Sequence, residues 1–331
     1  MTIREQLEEN ETKIFSQYAC LSKNTIGREK DEEKCPLRTE FQRDRDRILH
    51  CNAFRRLMHK TQVFLSPQSE HYRTRLTHTL EVAQIGRTMA RALGLNEDLV
   101  EAACLGHDLG HTPFGHAGEF ALREICPYGY VHAEQSVRVV KYIERDGNGL
   151  NLTEEVIDAI ACHSSGKEAS TLEGKLVRFA DKIAYMNHDI EDSIRAGILS
   201  DNDIPWNIKY TVGKTKSERI TAFITSVVEN STDDIKMADD IQKCFTELKT
   251  FLFDEVYNNS LAKNQEGKAR ELVKTLYKYY FENIDKLPDN YKIIADKWDN
   301  SRAVCDYISG MTDKYAIDLY ESLFIPKAWV I

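Results

Sequence analysis

The sequence predicts an all-α protein, and three observations carry that reading. Apolar residues recur at three- and four-residue intervals along nearly the whole chain. No run alternates apolar and polar residues as a half-buried strand would. Capping residues, glycines and prolines punctuate the repeats at helix-length spacing.

Residues 41–60 set Ile48, Cys51, Phe54, Leu57 and Met58 on one helical repeat. The next helix runs from Thr77 to Leu93 and stops at Gly94. Asn96 then stands as N-cap of a helix through Leu105, with Glu97 and Asp98 in the first turn, where acids complement the helix dipole. Gly110 and Pro113 end that helix, which leaves His107-Asp108 at its C-terminal end. Helices follow over 116–125, over 132–146 (stopped by Gly147), over 153–163 with Thr153 as cap, and over 171–198. Four or five more complete the chain, the clearest being the stripe Val304, Ile308, Met311, Tyr315 and Leu319. Breaks near Pro36, Pro205 and Pro288 suggest a charged arm over 1–35, a chemical core over 36–200 and a helical annex over 201–331.

Composition excludes several classes. Hydrophobic content of 42% beside 29% charged residues is that of a soluble globular protein, and 331 residues are ample for a large core. The net charge of −9 argues against a basic nucleic-acid coat. The polar N-terminus lacks a signal-peptide apolar stretch, and no apolar run reaches membrane-spanning length, so a cytoplasmic location is expected. The eight cysteines include no C-x-x-C pair and are expected to be small buried thiols in a reducing compartment.

Histidine placement points to chemistry. Six of the ten histidines, at 71, 78, 107, 111, 116 and 132, fall within one stretch. A single histidine is more often a packed or surface residue than a ligand, and His50, His59, His71, His163 and His188 are read that way. His78, His107, Asp108 and Asp181 differ, because two imidazoles and two carboxylates suit a divalent metal such as Mg²⁺ or Mn²⁺. After the doublet, Leu109 to Glu119 packs three glycines, His111, His116 and Glu119 into eleven residues. Glycines there would allow close backbone approach to a ligand. His116 and Glu119 are three apart and share a helix face, as suits an acid oriented by a carboxylate. Asp181, Tyr185 and Asp189 recur every four residues, a polar face beside Lys182. Residues 38–60 carry seven Lys/Arg against three Asp/Glu. That patch is either an arginine–carboxylate lattice or a phosphate-recognition surface.

These runs together resemble the deoxyguanosine triphosphate triphosphohydrolase family of the HD phosphohydrolase superfamily. The likeness lies in Arg38–Phe64, Arg73–Val82, His107–Glu119, His132–Ser136, Ala180–Tyr185 and Gly310–Ala316, in that order. Residues 201–300 are similar only loosely, and the chain lacks long insertions after the doublet. The resemblance implies an all-helical homo-oligomer, tetramer or hexamer, that cleaves a deoxynucleoside triphosphate into deoxynucleoside and triphosphate. It implies metal ligation by His78, His107, Asp108 and Asp181, and a catalytic and phosphate-contacting group of His111, His116, Glu119 and His132. It implies triphosphate contacts from Arg75, Lys182 and Tyr185, and 3′-hydroxyl recognition by Gln62 and Asp189. A nucleotide or single-stranded DNA is a possible effector. Another HD-type phosphohydrolase, acting on monophosphates or signalling nucleotides, would use the same four ligands; the basic segment and Gln62 speak against it. A non-catalytic nucleotide or nucleic-acid sensor would lack a ligand or the acid, and none is missing.

Overall fold

Helix starts in this chain are set by side chains that satisfy otherwise free N–H groups. Asn96 accepts from Leu99 N at 3.3 Å, Thr171 from Gly174 N at 3.1 Å and Thr312 from Tyr315 N at 3.2 Å. The computed structural model describes residues 1–62, 72–164, 166–258 and 260–326. His71, together with Val63 and Phe64 at the end of the basic run, lies outside them. The described residues are all-α, with two isolated bridges, Arg28–Thr153 and Thr61–Thr74, in place of any sheet.

Most helices fall where the apolar repeat puts them, and four departures have local causes. The 41–60 repeat breaks into Glu40–Leu49, Asn52–Arg56 and a tight turn at Leu57–His59, because Cys51 adopts extended backbone and caps the second piece. The 132–146 helix is α only over His132–Arg138 and widens to a π turn over Val139–Ile143. Thr153 stands at an N-cap, but its hydroxyl donates to Asp44 at 2.6 Å rather than closing its own helix. The stripe from Val304 to Leu319 spans two helices, Asn300–Ser309 and Asp313–Phe324, since Thr312 is extended and caps the second.

Contacts gather the chain into two units. The first holds Met1–His50, Thr77–His107 and Leu150–Ser260; the second holds Cys51–Leu76, Asp108–Gly149 and Leu261–Ile331. At the centre of the first, Glu97–Gly106 packs against Glu40–Leu49, Glu154–Cys162 and Leu172–Arg195. Leu99, Val100 and Leu105 on it are buried, as are Ile48, Ile160 and Val177 on its three neighbours. Each fully buried aliphatic side chain of this kind contributes about 1.5–3 kcal/mol.

Buried carboxylates tie the N-terminal residues into this unit. Glu11 accepts from Ser22 N and Oγ at 2.7 and 2.6 Å, and Glu173 accepts from the amides of Cys20 and Asn96 at 2.9 and 3.0 Å. The arginines of the basic segment are engaged in the same way. Arg38 pairs with Asp46 at 2.7 Å, Arg43 with Glu32 at 3.0 Å, Arg45 with Asp98 at 3.0 Å and Arg47 with Glu32 at 2.5 Å. Of the two readings left open for this segment, the structure favours the lattice for these four. Six of the eight cysteines are buried and all are free thiols. No described helix is long and apolar enough to cross a membrane.

At the heart of the lattice Asp44 is fully buried. It accepts from Arg28 Nη1 and from Thr153 N and Oγ1, the last two at 2.9 and 2.6 Å. Removing one partner of a buried pair leaves the other charge uncompensated, which costs about 3–5 kcal/mol. Asp44→Ala should therefore shift chemical denaturation by that amount, whereas Lys13→Ala, in an exposed pair with Glu9, should leave the midpoint unmoved.

Candidate active site

Within the first unit, three helices bring potential metal ligands together. His78 lies in the first turn of Arg75–Leu93, His107 caps the end of Glu97–Gly106, and Asp181 sits midway along Leu172–Arg195. His78 Nε2 and His107 Nε2 stand 3.2 and 3.8 Å from the same oxygen, Asp181 Oδ1. Octahedral ligands each about 2.1 Å from an ion are about 3 Å apart, so this spacing suits a shared cation. His107 Nδ1 is 2.6 Å from the Cys104 carbonyl. A carbonyl only accepts, so the ring proton resides on Nδ1 and Nε2 keeps its lone pair for a metal. Burial would raise the Asp181 carboxyl, but the His78 hydrogen bond and the neighbouring His107 and His163 hold it well below the usual carboxylate range. A carboxylate kept ionised between two imidazoles is a fitting ligand set. Asp108, the fourth predicted ligand, follows His107 in the chain and opens the second unit.

The polar face of the Asp181 helix continues with Tyr185 and Asp189. Asp189 is buried and accepts from the Tyr257 hydroxyl at 2.5 Å. Burial, then the charges of Asp181 and Asp189, push the Tyr185 hydroxyl up. Lys182 lines a cavity of about 260 Å³ with Lys175, Arg178 and the rings of Phe179 and Phe245. Burial and the nearby Lys249 and Arg178 lower its ammonium pKa.

Four residues here escaped the sequence reading. His188 Nδ1 bonds Glu81 Oε2 at 2.8 Å, and its ring meets His78 edge-on at 4.9 Å. Its position seven residues after Asp181 places it on the same helix face, and Glu81 follows His78 by three; those spacings were the available signal. His163 caps its helix as His107 does, with Nδ1 at 2.8 Å from the Ile160 carbonyl and its ring 5.0 Å from that of His107. Tyr257 sits in the loosely matching stretch 201–300, and no local pattern marks it.

Within the second unit the other predicted groups converge. Arg75 Nη1 donates to Asp108 Oδ2 at 2.7 Å, and His111 Nε2 lies 3.4 Å from Asp108 Oδ1. The His111 ring stacks on His132 at 4.2 Å and 16°. Asp108, His111 and His132 each offer one ligand atom, all within 4.8 Å of one another. Burial, then the Arg75 charge, push the His111 pKa well below the ordinary imidazole value, so this ring is neutral. A Cβ at Gly110 would lie 2.2 Å from Ser136 N. That glycine lets the loop approach the His132–Arg138 helix, not a ligand as the sequence alone suggests.

Glu119 is shared. Its carboxylate meets His132 Nδ1 at 3.1 Å, Arg123 Nη2 at 3.0 Å and His116 Nδ1 at 3.8 Å. The shorter histidine bond is thus to His132, while the His116 side chain is 82% exposed. Burial opposes ionisation of Glu119, yet the His116 and His132 bonds bring its pKa down. Burial likewise opposes the charge on His132, yet Glu119 raises its pKa. Gln62 is partly buried, and its Oε1 has no hydrogen-bond partner among the described residues.

An HD-domain family model matches residues 75–186, and a phosphohydrolase-associated domain model matches residues 235–322. A deoxyguanosinetriphosphate triphosphohydrolase-like protein of Caldanaerobacter subterraneus subsp. tengcongensis is 52% identical, covering 99% of this chain and 98% of its own. Relatives of the same name from Desulfatibacillum aliphaticivorans and Clostridium perfringens are 46% identical, each covering at least 99% of both chains. Among solved structures, a phosphohydrolase from Bacteroides thetaiotaomicron shares the fold, with a TM-score of 0.53 at 16% identity over 84% of this chain and 68% of that one.

The Glu119–His132 pair has a definite pH dependence. The raised His132 pKa gives a contribution lost as pH climbs through the folded value; the lowered Glu119 pKa gives one lost as pH falls through its own. The pair therefore stabilises most between the ordinary carboxylate and imidazole ranges. In Glu119→Gln, burial and the Arg75 charge oppose the His132 charge with only Asp108 left to favour it, and its NMR titration midpoint should fall. An unmoved midpoint would contradict the pairing.

Proposed function

This chain belongs to the deoxyguanosinetriphosphate triphosphohydrolase-like family of HD-domain phosphohydrolases, and we propose that it hydrolyses deoxynucleoside triphosphates to deoxynucleoside and inorganic triphosphate. The observation that carries this reading is the ionised Asp181 carboxylate facing His78 and His107 on three separate helices. His78, His107, Asp181 and, as the residue joined to His107, Asp108 would hold the divalent ion, Mg²⁺ or Mn²⁺. When bound, that ion supplies a Lewis acid for the α-phosphate and for activating water.

The chain's own groups do the rest. Arg75 and Lys182 offset negative charge on the triphosphate. Arg75 is already oriented by its bond to Asp108. His116 donates a proton to the leaving 5′-oxygen; its exposed ring is free to meet a substrate and stands 5.8 Å from that of His111. Expelling a nucleoside alkoxide without a proton would be very slow. Glu119 orients His132 and contacts His116, so one carboxylate serves both. Neutral His111 donates or accepts a hydrogen bond at the phosphate without adding charge. Gln62 and Asp189 read the 3′-hydroxyl, and Tyr185 packs on the sugar where a 2′-hydroxyl would crowd it. The same family reading makes the enzyme a homo-oligomer with a nucleotide or single-stranded DNA as effector.

Hydrolysis in H₂¹⁸O tests the reaction directly. Label should enter intact triphosphate, since attack is at the α-phosphorus; nucleoside diphosphate or labelled orthophosphate as product would point to another HD chemistry. Asp181→Ala should abolish both bound metal, measured by elemental analysis, and turnover, while His116→Ala should keep its metal and lose about 10²–10⁴-fold in kcat. Deoxynucleotides should be preferred to ribonucleotides. Gln62→Ala should damage the deoxy substrate by roughly 1–3 kcal/mol and so narrow its advantage over a 2′,3′-dideoxy analogue. Equal turnover of GTP and dGTP by the wild type would sink the sugar assignment.

A further inference from the structure

The run Gly310–Ala316 matches the family, yet none of its residues has a part in the chemistry above. Asp313 within it is 3% exposed and opens the last described helix. An acid in a helix's first turn ordinarily serves that helix's own N–H groups. Here Thr312 takes that task, accepting from Tyr315 N. Both Asp313 oxygens are engaged elsewhere. Oδ1 accepts from Phe114 N at 2.9 Å, and Oδ2 accepts from Thr61 N and Thr61 Oγ1 at 3.1 and 2.7 Å.

Those two segments carry the groups to which roles were given. Phe114 immediately precedes the helix that bears His116 and Glu119, and it holds a left-handed backbone with φ of 62°. Such a conformation in a bulky residue persists only where its surroundings enforce it. The Asp313 bond to its amide is one such restraint. Thr61 immediately precedes Gln62 and bridges to Thr74, beside Arg75, whose amide donates to the Lys60 carbonyl at 3.0 Å. The two segments also touch. A Cβ at Gly115 would lie 3.1 Å from Gln62 O and 3.2 Å from Arg75 Nη2, so the two segments leave only a tight gap there, and the φ of 53° further disfavours a side chain. Lys60 adds a second tie, its buried Nζ donating to the carbonyls of His111 and Ser309.

We propose that Asp313 is a positioning residue for the reaction, a bracket that sets Gln62 against the start of the His116 helix. This rests on the triphosphohydrolase reading and adds that the C-terminal phosphohydrolase-associated segment takes part in sugar recognition through backbone amides. The carboxylate is required because three donors converge on it and an amide cannot accept them all. The Asp313→Asn side chain would turn an NH₂ towards one set of donors and lose that arm.

Asp313→Asn, Asp313→Glu and Thr61→Val separate positioning from mere stability. In Asp313→Asn, kcat on a deoxynucleoside triphosphate should fall about 10- to 100-fold, the scale of a displacement near 1 Å. Metal content should match the wild type, the melting temperature should fall by no more than the loss of one buried hydrogen-bond arm gives, and the preference for deoxy over dideoxy substrate should shrink. Asp313→Glu should recover part of both losses, and Thr61→Val, which removes only the hydroxyl, should lose less than Asp313→Asn. Hydrogen exchange at the Thr61 or Phe114 amide should quicken in Asp313→Asn. Unchanged kcat and discrimination in Asp313→Asn would overturn the proposal. So would an equal loss on both substrates accompanied by a larger fall in melting temperature, which is what a purely structural role gives. Absence of triphosphate release by the wild type would instead overturn the reading on which the proposal rests, and the proposal with it.

Discussion

A carboxylate taken out of water must either find positive or hydrogen-bonding partners or give up its charge. That constraint organises this molecule at every level. Asp181 stays ionised because His78 and His107 face it, and three helices must converge for that to happen. Asp44, although burial raises its pKa, gathers the arginine lattice by holding Arg28 and the start of the Glu154–Cys162 helix on one side chain. Glu11 and Glu173 hold the N-terminal residues by their amides. In each case the partners come from distant sequence, so satisfying one acid fixes the relation of two or three segments.

The apolar core makes these arrangements sustainable. Leu99, Val100 and Leu105 on one central helix pack on three neighbours, and the area they bury offsets the desolvation of the polar groups nearby. The same helix delivers His107 at its last turn. Its ring is aimed by the Cys104 carbonyl, one of the acceptors that every helix leaves unsatisfied at its C-terminus. His163 repeats the device on the Glu154–Cys162 helix. Helix ends thus supply orientation as well as position.

Within the second unit the acids act in series. Asp108 orients Arg75, Glu119 holds His132, and Asp313 holds the Thr61 and Phe114 amides. His111 shows the complementary strategy: buried beside a guanidinium, it remains neutral rather than being paired into a charge. A ring that does not ionise adds directional hydrogen bonding without disturbing the charge balance around Arg75 and Asp108.

What the sequence determined by itself was whatever depends on near neighbours in the chain. Helical periodicity announced the all-α class, Asn96 marked its helix start, and Asp181 with Tyr185 and Asp189 declared one polar face. The His107-Asp108 doublet and its sequel identified the family, because local spacing and residue type are preserved in the chain itself. Where another segment competes for a side chain, local reading fails. Thr153 looks like a cap but gives its hydroxyl to Asp44, and the stripe from Val304 to Leu319 is divided by the cap at Thr312. The arginines of 38–47 read equally well as phosphate ligands until their carboxylates, some more than fifty residues away, are brought beside them. Tyr257 became visible only through a tertiary contact, and so did the partners of His188 and Asp313, since a hydrogen bond between remote segments leaves no periodic trace in either one.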